Sequence, residues 1–168
     1  MEALYYSGKA RAIGVSNFTI PCLERLLSFS SVLPAVNQVE IHPFLPNQEL
    51  LDYCNASNIL PVAYSPLGSQ NQVPHTDEKV SENKSLNEVA RRSGHTLAQT
   101  LIAWGIQRGY PVLPKSATPM RIESNFEDYE LSEEDSKIVN EVARGRHSRF
   151  VNMRDTFGFD LWPEEGAA

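Results

Sequence analysis

The sequence predicts an α/β fold in which parallel strands alternate with helices. Four short runs rich in β-branched residues predict strands, and they cover Ala12–Ser16, Ala35–Glu40, Pro61–Ser65 and Pro111–Pro114. Apolar residues recur at helical spacing between these runs, and parallel strands are normally joined by helical crossovers. No Gly-x-Gly-x-x-Gly follows any of the four runs. The dinucleotide-binding signature of a doubly wound sheet is therefore absent, and a (β/α) barrel is the better interpretation.

The predicted helices follow from apolar spacing and from residues typical of helix ends. The apolar positions are Leu23, Leu26 and Leu27 after the first strand and Leu50, Leu51 and Cys54 after the second. A long polar stretch, Gln70–Ser85, precedes two further helices over Leu86–Arg92 and from Thr96 onward. Gly94 and Gly109 are typical of helix C-termini. Ser132, with Asp135 three residues later, predicts the start of the last helix.

The length fits only part of a barrel. A closed (β/α)8 barrel needs eight strands in about 250 residues, whereas this chain has 168 residues and four β/α units. The first residues, Glu2–Lys9, are typical of the end of a helix. We therefore expect residues 1–168 to be the C-terminal part of a single, larger barrel domain.

Composition excludes several classes of function. The net charge is −6, from 15 Lys+Arg and 21 Asp+Glu, and nucleic-acid binding needs a surplus of basic residues. No apolar run approaches the roughly 18 residues of a membrane span, and Met1–Lys9 lacks the apolar stretch of a secretory signal. Cys22 and Cys54 form no CxxC pair or disulfide framework. A reducing, cytoplasmic compartment is the expectation.

Motifs for a self-contained catalytic or metal site are missing. The four histidines, His42, His75, His95 and His147, have no HxxxH or HExxH spacing, so we predict no metal site. The acidic run Glu133–Asp135 lies at a predicted helix start, where capping and the helix dipole explain it. No catalytic residue is predicted from these patterns.

Polar residues follow the predicted strands at the end where parallel α/β folds bind ligands. These residues are Ser16 and Asn17, Gln38 and Glu40, Tyr64 and Ser65, and Lys115 and Ser116. The segment Lys115–Asn125 adds two cations and hydroxyl groups that can bind a phosphate. The alternative is that Thr118 is an ordinary N-cap, Pro119 occupies the first helical position and Arg121 is solvated.

Four motifs in order resemble the aldo-keto reductase family over nearly the whole chain. They are Gly14–Phe18, Asn37–Pro43, Ala63–Ser69 and Pro114–Pro119, followed by Arg121 and Asn125. The resemblance implies a (β/α)8 TIM-type barrel, of which this chain carries strands five to eight, their helices and the C-terminal loop. It also implies NADPH-dependent, reversible reduction of aldehydes or ketones to alcohols.

The resemblance assigns the nicotinamide end of the cofactor to four residues. Ser16, Asn17 and Gln38 match the residues that bind the nicotinamide carboxamide, and neutral polar side chains suit both its donors and its acceptor. Tyr64 matches the aromatic residue that stacks on the nicotinamide ring. The alternative reading of Tyr64 is a core tyrosine at a strand end.

The resemblance assigns the rest of the cofactor to two loops. Ser65, Leu67 and Ser69 match the loop that covers the pyrophosphate. The residues that match the 2′-phosphate clamp are Lys115, Ser116, Thr118 and Arg121. Asn125 matches the adenine-binding residue, whereas Ser124 stands where many members have Glu, which puts the arrangement around adenine in doubt.

The family's catalytic Asp, Tyr, Lys and His have no match in this sequence, because they lie on the second to fourth strands. His42 is better explained as a structural turn residue. Two alternatives therefore stay open: a non-catalytic half-barrel that binds NADP(H) weakly or associates with another chain, and a different barrel enzyme with the same phosphate site. The expected partner is a small carbonyl or alcohol substrate, with no nucleic acid and no membrane, and we expect the truncated chain to self-associate.

Overall fold

The strands form one small sheet in a computed structural model that describes residues 1–69, 78–127, 129–152 and 158–162. They are β1 (Val15–Ser16), β2 (Val36–Glu40) and β3 (Leu60–Tyr64), in the order β1-β2-β3. β1 and β2 are parallel, with Val15 opposite Asn37. The N–H of Leu60, at the start of β3, donates to the carbonyl oxygen of Ala35, just before β2. The N–H of Ile41, just after β2, donates to the carbonyl oxygen of Tyr64, at the end of β3. These two strands therefore also run in the same direction.

The described chain also contains seven α-helices and a short 3-10 helix. They are α1 (Glu2–Tyr6), α2 (Ile20–Leu27), α3 (Gln48–Ala56), α4 (Lys84–Ser93), α5 (Leu97–Gln107), α6 (Pro119–Ser124) and α7 (Glu133–Ala143), with a short 3-10 helix at Val80–Glu82. Thr96 and Gln99 form a reciprocal capping box at the start of α5. Gly94 ends α4 in the left-handed conformation. The predicted alternation of helices with strands is confirmed, including the helical turns at the start of the sequence.

Several sequence predictions differ from the structure in detail. The first predicted strand, Ala12–Ser16, begins only at Val15 and ends at Ser16, where Asn17 turns the chain with φ of 60°. Pro111–Pro114 forms only an isolated parallel bridge between Val112 and Ala63, since its two prolines have no N–H to donate. At the start of α7, the Asp135 carboxylate accepts from the Ser132 hydroxyl and does not complete a capping box. At the end of α5 the prediction holds: Gly109, with φ of 89°, directly follows the C-cap residue Arg108.

The described chain divides into two compact units. Unit 1 comprises Met1–Val39 and Asn47–Val62, and unit 2 comprises Glu40–Pro46 and Ala63–Ala168. The interior of unit 1 is formed by side chains of α2, β2 and α3, by Ile59 just before β3 and by Val62 within it. The buried apolar residues are Leu23, Val39, Leu50, Leu51, Cys54, Ile59 and Val62. A Cβ atom on Gly14 would lie 2.5 Å from Val36 Cγ2, so the approach to β1 accepts only glycine without rearrangement.

Unit 2 is organised around α4, α5 and α7. Its core includes Phe44, Val80, Leu86, Val89, Leu101, Trp104, Leu131, Val139 and Phe150. Arg92 of α4 binds the carboxylates of Glu134 and Asp135 at the start of α7, which ties the two helices together. Arg108 lies over the Trp104 ring and donates to the Pro46 carbonyl oxygen over 3.0 Å. Among the described residues, no helix combines the length and apolar character that crossing a membrane requires.

A buried carboxylate in unit 2 binds the segment that follows α7. Glu40 is fully buried, and its two oxygens accept from the backbone N–H groups of Phe150 and Val151 over 2.9 and 3.0 Å. His42 Nδ1 accepts from the Phe44 N–H, so Nε2 carries the proton and donates to Glu40 over 2.9 Å. His42 is thus the structural turn residue that the sequence indicated. The Glu40 carboxylate supplies the partners that this irregular backbone would otherwise lack.

We predict that Glu40→Gln loosens the segment around Phe150. The amide replaces one acceptor oxygen with an NH2 group, which faces a backbone N–H and leaves a buried donor unpaired. Loss of a hydrogen bond to a charged group costs about 1.5–3 kcal/mol, or roughly 10- to 150-fold in an opening equilibrium. Amide hydrogen exchange at Phe150 and Val151 should accelerate by about that factor. Glu49→Gln, on the exposed face of α3, is the matched control; equal exchange in both variants would contradict the role of Glu40.

Candidate functional site

In unit 1, the turn after β1 brings together three of the predicted site residues. Gln38 lies in the middle of β2 opposite Ser16, and not at the strand end as the sequence suggested. The Gln38 carbonyl oxygen accepts from the Ser16 hydroxyl over 2.8 Å and from the Asn17 N–H over 3.0 Å. Asn17 has φ of 60°, in the left-handed region that non-glycine residues seldom adopt. These bonds fix the three residues at adjacent positions.

The Asn17 side chain in this turn has a buried oxygen atom, Oδ1, that forms no hydrogen bond with a described residue. Buried polar atoms are almost always paired, so this acceptor is available to a donor from a bound molecule. An amide N–H is a donor of suitable strength and neutral charge. The turn therefore fits the carboxamide of a nicotinamide ring.

Asn37, in β2, contacts the same turn, and its role was not predicted from the sequence. It is fully buried, and its Oδ1 accepts from the Phe18 N–H over 3.3 Å while its Nδ2 donates to the Phe18 carbonyl oxygen over 2.8 Å. The sequence offered two signals: Asn37 begins the Asn37–Pro43 motif, and it is an asparagine inside an otherwise strand-like run. Such a residue is equally compatible with an exposed strand face.

In unit 2, Tyr64 is the last residue of β3, and the loop that follows it is tightly folded. Ser65 has φ of 48°, its carbonyl oxygen accepts from the Gly68 N–H over 2.9 Å, and its hydroxyl accepts from the Ser69 hydroxyl over 2.8 Å. Gly68 has φ of 70°, and a Cβ atom there would lie 2.6 Å from Val80 Cγ2. Leu67 packs against the core of unit 2. The loop is thus held in one shape by bonds at both ends and by its close contact with Val80.

The segment with the predicted phosphate-binding residues is largely exposed. The Lys115, Thr118 and Arg121 residues are exposed, whereas Ser116 and Asn125 are half-buried. The Ser116 hydroxyl accepts from the Thr118 N–H over 3.1 Å. Pro119 occupies the first position of α6, as the alternative interpretation proposed, but the Thr118 side chain forms no capping hydrogen bond. The side chains with positive charge and hydroxyl groups are therefore accessible to an anion.

Unit 2 also contains an open cavity of about 1030 Å³ beside this segment. Three predicted site residues line it, namely Lys115, Ser116 and Asn125, whereas Thr118 and Arg121 do not. Its other walls are mainly apolar and include Ile106 and Phe126, which are 59% and 88% exposed.

Burial keeps two titratable side chains, Tyr110 and Cys54, in their neutral forms at neutral pH. Burial raises the pKa of Tyr110 to about 12, so its hydroxyl, which accepts from Arg108, stays protonated at neutral pH. Burial likewise raises the pKa of the Cys54 thiol, against an opposing hydrogen bond from Asn37. The part of the chain that the structure describes contains no group of three or more His, Cys, Asp or Glu residues able to hold a metal ion.

Comparison with known proteins identifies the family. The sequence profile of the aldo/keto reductase family matches residues 1–144. A glycerol 2-dehydrogenase (NADP(+)) of Hypocrea jecorina is 63% identical over 165 residues, which are 98% of this chain and 52% of that protein. A D-galacturonate reductase of the same organism is 39% identical over 96% of this chain and 51% of its own length. The chain belongs to the aldo/keto reductase family.

Solved structures agree with this assignment. The structure of aldose reductase from Giardia lamblia superimposes with a TM-score of 0.86 at 35% identity, over 96% of this chain and 54% of that one. An aldo-keto reductase from a Medee basin deep-sea metagenome library superimposes with a TM-score of 0.77 at 41% identity, over 86% and 53%. The fold is the α/β fold of the family with parallel strands. The chain spans about half the length of the curated relatives it matches.

Proposed function

We propose that this chain is the cofactor-binding half of an NADPH-dependent aldo/keto reductase that interconverts aldehydes or ketones and alcohols. The buried, unpaired Asn17 Oδ1 beside Ser16 and Gln38 carries the proposal, because it suits a nicotinamide carboxamide. The 63% identical relative is named for NADP(+), which supports the choice of cofactor. In this proposal the four β/α units correspond to strands five to eight of the family barrel.

In unit 1, the proposed task is to orient the nicotinamide. Asn17 accepts an N–H of the carboxamide, while Ser16 and Gln38 supply further polar contacts around the same group. In unit 2, Tyr64 provides an aromatic surface for the ring. When bound, a nicotinamide cofactor supplies or accepts the hydride. The residues of this chain determine how that ring is held.

The proposed task of the two loops of unit 2 is to bind the phosphates and adenosine. Ser65, Leu67 and Ser69 cover the pyrophosphate, and the bonds within that loop fix its shape before a ligand binds. Lys115, Ser116, Thr118 and Arg121 bind the 2′-phosphate, which carries close to two negative charges at neutral pH. Asn125 contacts adenine. The Ser124 hydroxyl donates to the Arg121 carbonyl oxygen over 3.3 Å, so this side chain supports α6.

The proton-transfer step is assigned to the rest of the family domain. Protonation of a carbonyl oxygen requires an acid within hydrogen-bond reach of it. None of the residues matched here corresponds to the family's acid, and Tyr110 is buried.

The relatives are named for glycerol and D-galacturonate, which are polyhydroxylated. We therefore propose a polyhydroxylated carbonyl substrate for the whole protein.

A non-catalytic chain that associates with another chain is the second candidate. It is favoured by the exposed apolar side chains on one wall of the unit 2 cavity, since large exposed apolar patches mark interaction surfaces. They are Ile106, Leu113, Ile122 and Phe126. In this proposal the 168-residue chain self-associates through that wall when it is produced alone.

We predict that Arg121→Ala weakens NADPH binding and spares NADH. Loss of one charge-assisted contact should cost about 1.5–3 kcal/mol, or roughly 10- to 150-fold in Kd. NADH lacks the 2′-phosphate, so its Kd should hardly change. Cofactor fluorescence titrations measure both constants. Arg25→Ala, at the exposed end of α2, is the matched control. Equal losses for the two cofactors would show that Arg121 is not a 2′-phosphate ligand.

We further predict that the 168-residue chain alone reduces no aldehyde. The assay follows NADPH oxidation at 340 nm with glyceraldehyde as the substrate, at a protein concentration where cofactor binding is saturated. The absence of a matched acid predicts a rate equal to that of the protein-free control. A rate that scales with purified protein and disappears in Tyr64→Phe would show instead that Tyr64 donates the proton.

A further inference from the structure

One buried side chain holds the turn that carries the Asn17 acceptor. The Asn37 carboxamide forms two hydrogen bonds with Phe18, accepting from its N–H over 3.3 Å and donating to its carbonyl oxygen over 2.8 Å. The residue is fully buried in β2. Both polar groups of the Phe18 backbone are therefore satisfied by a single side chain, as a partner strand would satisfy them.

These two bonds also restrain the backbone of Asn17, the residue before Phe18. Asn17 has φ of 60°, in the left-handed region, which asparagine adopts more readily than most other non-glycine residues. On one side the Asn17 N–H donates to the Gln38 carbonyl oxygen over 3.0 Å, and on the other side Asn37 holds Phe18. The Asn17 backbone is thus fixed at both ends by β2. That position keeps its Oδ1 buried and without a described partner.

The chemistry of the turn selects asparagine at position 37. Phe18 offers one donor and one acceptor, so its partner must both accept and donate. Aspartate accepts only, and leucine does neither. Behind the amide, the Cys54 sulfur lies 3.9 Å from Asn37 Nδ2, and burial raises the pKa of that thiol. The thiol stays protonated at neutral pH, so no charge competes for the amide.

We infer that Asn37 is a positioning residue for the carboxamide of the nicotinamide ring. It holds the turn so that Asn17 Oδ1 accepts an N–H from that carboxamide. Asn37 itself does not contact the ligand. The inference rests on the proposed function and deepens it, because it names what prepares the acceptor.

The test compares the binding of three ligands to the 168-residue chain. They are NADP⁺, its 3-acetylpyridine analogue, in which a methyl ketone replaces the carboxamide and removes the N–H donor, and 2′,5′-ADP, which lacks the nicotinamide. Isothermal titration gives each Kd for the wild-type chain, for Asn37→Leu and for the control Asn55→Leu on the exposed face of α3. Hydrogen exchange at the Phe18 amide reports on the turn without any ligand.

The wild-type chain should bind NADP⁺ about 3- to 12-fold more tightly than the acetylpyridine analogue, the value of one neutral hydrogen bond. Asn37→Leu should remove that preference, accelerate exchange at Phe18 and leave the Kd of 2′,5′-ADP unchanged. Asn55→Leu should change none of the three. A merely structural role for Asn37 would instead weaken all three ligands alike and keep the preference.

Each other outcome has a definite meaning. Equal wild-type affinities for NADP⁺ and the analogue, with tight 2′,5′-ADP binding, overturn the inference and leave the proposed cofactor intact. Failure of the wild-type chain to bind 2′,5′-ADP or NADP⁺ overturns the proposed function and the inference together. Cooperative thermal unfolding shows whether Asn37→Leu is folded. If it is not folded, Asn37→Asp replaces it in the test. Aspartate has the same shape and still accepts from the Phe18 N–H, but it cannot donate to the Phe18 carbonyl oxygen. Retention of the wild-type preference in Asn37→Asp overturns the inference.

Discussion

Buried polar side chains of β2 hold one irregular segment in each unit. In unit 1, Asn37 pairs with the backbone of Phe18, and in unit 2, Glu40 accepts from the backbone of Phe150 and Val151. Asn37 and Glu40 are both fully buried. A buried backbone group without a partner costs about 1–3 kcal/mol, so a loop can be buried only where another group replaces the missing strand or helix bond. The strand thus fixes backbone that is not itself part of a strand.

This constraint explains how polar ligand-binding groups keep a defined position without a ligand. The Asn17 acceptor is held by its neighbours, and the loop from Ser65 to Ser69 is closed by its own hydrogen bonds. The two units differ in charge chemistry. Unit 1 offers neutral polar groups, which suit an amide, whereas unit 2 offers Lys115 and Arg121, which suit a phosphate.

The sequence predicts the elements of this fold better than its irregular parts. The capping residues Thr96 and Gln99 and the terminating Gly94 act locally, so the ends of α4 and α5 can be predicted from a few residues. Pro111–Pro114 has the composition of a strand, but pairing also requires N–H groups that its prolines lack. Residue composition alone therefore does not show whether such a run pairs with a neighbouring strand.

The roles of the buried polar residues could not be predicted from sequence. Glu40 and Phe150 are 110 positions apart, and nothing local indicates that they meet. Asn37 has the appearance of an ordinary polar residue in a strand. The motifs did lead to Ser16, Asn17 and Gln38, but the unpaired Asn17 oxygen emerges only from the packing around it.

Amide chemical-shift mapping of the ¹⁵N-labelled chain shows whether the turns and loops after the strands bind NADP(H). Titration with NADP⁺ should shift the amide signals of Ser16–Phe18, Gln38, Ser65–Ser69 and Lys115–Asn125 and leave those of α4 (Lys84–Ser93) unchanged. Shifts confined to α4, or no saturable shifts at millimolar cofactor, would show that these turns and loops do not bind NADP(H).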